Sequence, residues 1–94
     1  MTLRIYGPAQ ADIEAAFAYI AQDSPRAAQI VVERILSSLE SLPEHPAMGR
    51  PGRVEGTREL VIARTPYVAV YEVTSQGVAV VRVIHGAQNW PDHG

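Results

Sequence analysis

A chain of 94 residues, 47% hydrophobic and 19% charged, has the composition of one globular domain spanning residues 1–94 and excludes disorder. It holds no cysteine, so disulfide and thiolate chemistry are excluded and a reducing cytoplasm is the expected compartment. The net charge of −2 lacks the cationic excess of proteins that grip nucleic acid through phosphates. The charge is uneven, however: residues 1–47 carry three Arg against six acids, and residues 48–94 carry five against four.

Residues 3–6 (Leu-Arg-Ile-Tyr) form a short strand, with Leu3 and Ile5 on one face and Arg4 and Tyr6 on the other. Gly7-Pro8 supplies a turn with proline at the first helical position. Ala9, Ile13, Ala16, Phe17 and Ile20 then make the apolar stripe of a helix whose wet side carries Asp12 and Glu14. Ser24-Pro25 repeats the start signal, with serine as N-cap and proline behind it. The second helix carries Ala28, Val32, Ile35, Leu39 and Leu42, widened by Val31 and Leu36, and Pro43 closes it. So short a link folds the two helices back as an antiparallel hairpin.

Residues 43–57 (PEHPAMGRPGRVEGT) contain three prolines and three glycines and form a long connector, in which Arg50 and Arg53 face an anion or simply solvent. Three strands follow. RELVIAR (58–64) sets Arg58, Leu60, Ile62 and Arg64 on one face and Glu59, Val61 and Ala63 on the other. YVAVYEV (67–73) and VAVVRVIH (78–85) follow short turns, so the three make an antiparallel meander. The predicted order is β-α-α-β-β-β, an α+β domain with a helical hairpin packed on a small antiparallel sheet.

The chemistry-bearing residues gather where the last strand ends, in RVIHGAQNWP (82–91). Strict alternation puts His85 with Ala79, Val81 and Val83, and Arg82 with Val80 and Ile84. In one reading His85 is a general acid or base, and Arg82, Arg58 or Arg64 stabilises a phosphorane-like transition state during RNA cleavage. In the other, His85 and Gln88 hydrogen-bond the loop backbone while Trp90 plugs an open end of the core. No glycine-rich phosphate loop or glycosidase-like acidic pair is present. His45 lies between Pro43 and Pro46 and His93 is next to last, so no metal site or other cofactor is expected. No run of about 18 apolar residues marks a membrane span, and no N-terminal segment has the pattern of a signal peptide.

The stretches HPAMGRPGRVEGTRELVI, PYVAVYEV and VRVIHGAQNWP resemble the RelE/ParE superfamily of toxins from bacterial type II toxin–antitoxin modules, which act in plasmid stabilisation and stress responses. The likeness covers nearly the whole chain and implies a toxin neutralised by a cognate ParD- or RelB-like antitoxin. It implies no sequence-specific DNA binding by this chain alone, since that task falls to the antitoxin. RelE-like members cut mRNA on the ribosome, whereas ParE-like members poison DNA gyrase without a catalytic set. Against the ribonuclease pattern, this chain has Val68 after Tyr67 where an arginine is expected. It has Gln88 at the position of an Arg or His, and no Lys within Leu60-Val61-Ile62. The resemblance therefore favours the ParE-like branch, acting on gyrase through a protein interface. A ribosome-dependent endoribonuclease using Arg58, Arg64, Arg82 and His85 is the alternative, and a non-toxic binding module of the same fold is a third. Arg50, Arg53, Tyr67, Tyr71, Gln88 and Trp90 are the expected contacts to antitoxin or target.

Overall fold

Short links and prolines divide the chain into seven elements in a computed structural model that describes residues 2–91. They are β1 (Thr2–Ile5), α1 (Gly7–Ala21), α2 (Pro25–Ser41), β2 (Arg50–Pro51), β3 (Arg58–Val61), β4 (Tyr67–Thr74) and β5 (Gly77–His85). Ser24 caps α2, its Oγ accepting a hydrogen bond from the Ala27 N–H at 3.1 Å. The strands form one sheet in the order β1-β5-β4-β3-β2. β3, β4 and β5 are the expected antiparallel meander. The sheet as a whole is mixed, because β1 runs parallel to β5, while the helices carry the chain from β1 to β2 at the opposite edge.

The helices cover one face of the sheet. Ala9, Ile13 and Ala16 of α1 and Ile35 and Leu39 of α2 meet Tyr67, Ala69, Tyr71, Val78, Val80 and Val83 in the main core. Phe17 departs from the predicted stripe and is 42% exposed. Ala9, Ile13, Ala16 and Ile20 make a row that already fills the contact, and the alanines let the helix lie close to the strands. Leu36 likewise lies outside the core, as an exposed residue.

Three further departures shape the functional surface. β2 is a strand inside the long connector, held beside β3 with Arg50 opposite Glu59. The buried Tyr71 hydroxyl fixes that connector by accepting from the Gly49 N–H at 2.9 Å and donating to the Pro46 carbonyl at 2.7 Å. A side chain at Gly49 would put its Cβ 2.8 Å from both the Glu59 carbonyl and the Tyr71 hydroxyl, so only glycine fits without displacement. β3 stops at Val61 instead of Arg64, because the Thr65 N–H turns back to the Ile62 carbonyl and Arg64 adopts φ 62°. Finally, a β-bulge shifts the β4–β5 register, pairing Val70 with Arg82 but Tyr71 with Val80. Val81 is thus the extra residue, and the strict alternation expected along β5 breaks there. Val80 packs towards the helices with Val78 and Val83.

Among the described residues no helix covers the opposite face of the sheet. Val68, Val70 and Ile84 make a small second core there, covered by Val81 and Trp90. Among the described residues no helix is long and apolar enough to cross a membrane.

Candidate functional site

Two local structures emerge around the residues singled out from the sequence. The first is the exit of β5. β1 ends opposite Val80, so beyond it β5 needs another partner on that side. Asp12 of α1 provides it, accepting from the Val83 N–H at 2.9 Å and from Arg82 Nε and Nη2 at 2.7 and 3.1 Å. The Arg82 guanidinium also stacks on Trp90, 5.4 Å from the ring centroid. Two residues beyond Val83, the His85 N–H donates to Gln88 Oε1 at 3.4 Å. The imidazole packs edge-on against Tyr67 with centroids 5.7 Å apart, and its Nδ1 accepts from the Ala87 N–H at 3.1 Å. Because a backbone N–H can only donate, Nδ1 carries the lone pair and a neutral ring holds its proton on Nε2.

The second structure is a shallow cleft of about 500 Å³ beside β3, lined among others by Arg50, Arg53, Glu59, Val61, Tyr67 and Val68. Glu59 is buried at its base, 2% exposed. Its carboxylate accepts from the Arg53 backbone N–H and Nε at 2.9 and 3.1 Å, and from Arg53 Nη2 and Arg50 Nη2 at 3.2 and 3.3 Å. Burial by itself would raise the Glu59 pKa, but the hydrogen bonds from Arg53 and Arg50 outweigh it and hold the carboxyl below its ordinary value. Tyr67 is moved the other way, burial and the nearby Tyr19 raising its phenol.

The four residues of the ribonuclease reading do not converge. Arg58 donates from Nη1 to the Gly49 carbonyl at 2.7 Å, tying β3 to the connector. Arg64 sits in the β3–β4 turn beside α2, where its carbonyl accepts from Arg34. Arg82 is directed to Asp12, and His85 to Tyr67 and its own loop. Of the expected contact residues, Arg50, Arg53 and Tyr67 meet at the cleft, whereas Gln88 and Trp90 belong to the β5 exit. Tyr71 is fully buried and holds the connector, so it offers no surface. Tyr67 is 8% exposed and presents only an edge. Among the described residues no group of three potential metal ligands comes together, and His93 lies outside them.

Asp12, Glu59 and Val61 were absent from the sequence-derived set. For Glu59 a signal existed: an acid between Arg58 and Leu60, in a strand whose neighbours are nearly all apolar. Val61 is 55% exposed at the rim of the cleft, an unusual place for a valine in a sheet.

An αα-on-sheet domain of this topology matches a known class. The family model described as the ParE toxin of type II toxin–antitoxin systems, parDE, matches residues 3–90. The chain is 49% identical over 74 residues to the protein Y4kP of Sinorhizobium fredii, covering 79% of this chain and 76% of that one. It is 41% identical over 80 residues to toxin RelE2 of Caulobacter vibrioides, covering 85% and 89%. A solved structure of the chromosomal ParDE toxin–antitoxin system from P. aeruginosa superposes with a TM-score of 0.81 at 27% identity, covering 90% of this chain and 95% of that one. The chain therefore belongs to the ParE toxin family, within the RelE/ParE superfamily of type II toxins.

Proposed function

We propose that this toxin inhibits DNA gyrase through a protein–protein interface, carries no catalytic centre, and is held inactive by a cognate antitoxin. The observation that carries this reading is the dispersal of Arg58, Arg64, Arg82 and His85. Cleavage at a 2′-hydroxyl needs a base, an acid and a cation around one phosphate. Here Arg82 is bound to a carboxylate and the Nδ1 of His85 to a backbone N–H. The net charge of −2 also supports a protein target over a ribosomal RNA surface. The antitoxin partner follows from family membership and from the ParDE assembly that the fold resembles.

Purified toxin mixed with gyrase, supercoiled DNA and ATP is expected to trap double-strand breaks, and His85→Ala is expected to trap them as well. Absence of breaks, together with cut mRNA on translating ribosomes that His85→Ala abolishes, would favour the nuclease instead.

A further inference from the structure

The cleft beside β3 combines a sheet edge with an uncompensated charge. β2 covers only Arg58 and Glu59 of β3. Hydrogen bonding in the ladder alternates: Gly52 N–H pairs with the Thr57 carbonyl, and Ile62 N–H with the Tyr67 carbonyl on the opposite side. Val61, between those registers, therefore turns its N–H and carbonyl outward past the end of β2. Among the described residues nothing pairs with them. Proteins normally blunt such an edge with a lysine, a proline or a bulge, and Val61 has none of these. Its side chain stands against Val68, its β4 partner, on the helix-free face. Two guanidinium groups, with side chains 60% and 44% exposed, flank this spot and share the single carboxylate of Glu59. Among the described residues no other acid lines the cleft, so these side chains carry a local excess of one positive charge on a chain whose net charge is −2.

We propose that the edge of β3 at Val61 receives an extended segment of the antitoxin, which adds a short strand there. Backbone pairing at Val61 supplies the register, an apolar side chain of the segment covers Val61 and Val68, and a neighbouring Asp or Glu meets Arg50 and Arg53. An acidic segment fits this cleft because the surplus charge is positive and both guanidinium groups are already oriented by Glu59. The proposal rests on the toxin–antitoxin reading but is narrower, since an antitoxin can bind elsewhere on the molecule.

The test uses the complex of this chain with its cognate antitoxin. Amide exchange at Val61, followed by NMR, is expected to slow by at least about tenfold on binding. Val61→Pro, which removes the outward N–H, is expected to weaken antitoxin binding by about tenfold. Arg50→Gln leaves the Arg53–Glu59 pair in place, so it folds, and is expected to weaken binding about threefold with a smaller dependence on salt. A complex with unchanged exchange at Val61 and full affinity in both variants overturns the proposal and leaves the toxin assignment standing. Failure of any complex to form overturns the proposal together with the antitoxin reading it rests on.

Discussion

Glu59 shows how a single side chain organises the cleft. It sits nearly without solvent and would be costly there as a lone anion, yet four donor groups from Arg53 and Arg50 surround it. The result is a carboxyl that stays ionised below its ordinary value of 4.5. A group whose folded pKa is depressed adds stability above the unfolded value and loses it as pH falls through the folded one. Glu59→Gln is therefore expected to cost about 1–3 kcal/mol at pH 7, since Arg53 loses its anionic partner while remaining partly hydrated. Urea unfolding should show that gap narrowing between pH 4.5 and more acidic conditions, as the wild type itself protonates. A gap independent of pH would mean that packing, and not charge, is what Glu59 contributes. Part of the cleft's lining was legible in the sequence, since Arg50, Arg53 and Tyr67, though not Tyr71, Gln88 or Trp90, meet there. The acid that binds two of them was not singled out, because pairing across the β2–β3 turn depends on a strand only two residues long.

At the scale of elements, α1 and β5 are joined through Asp12. Their contact is otherwise apolar, and the carboxylate adds a directional bond that aligns the helix with the edge of the strand beyond Val80. Asp12→Ala is expected to lower unfolding free energy by about 2–4 kcal/mol, since it removes a charged acceptor from both Arg82 and the Val83 N–H. Asp12→Asn keeps an acceptor oxygen for Val83 and should cost clearly less. Equal losses in the two variants, measured by urea denaturation, would contradict this role. Much of the element order could be read directly: Ser24-Pro25 starts a helix and Gly7-Pro8 opens another because their chemistry is local. Periodicity alone places Asp12 on the wet side of α1, because it does not register an adjacent strand edge. The bulge at Val81 was hidden for a related reason. In a strand reading Val-Ala-Val-Val-Arg-Val-Ile, apolar residues suit both faces, so a one-residue slip leaves no mark in the pattern.

For the whole molecule, the question is whether its charge can serve a nucleic acid target. Its basic residues are eight arginines, but Arg50 and Arg53 share Glu59, and Arg82 is engaged by Asp12. Arg58 and Arg34 spend donors on backbone carbonyls. Ten acids oppose these eight cations, so the chain lacks the cationic excess that displaces counterions from a phosphate backbone. Binding of a labelled RNA of roughly 20 nucleotides, followed by anisotropy at about 0.15 M salt, is therefore expected to be weaker than a Kd of about 10⁻⁴ M. Sub-micromolar binding with a steep salt dependence would require a cationic surface that this arrangement of side chains does not provide, and would move the target back to the ribosome. Weak binding agrees with recognition of a protein partner through a few placed charges, such as those flanking Val61, because these act on a protein surface without needing a net positive field.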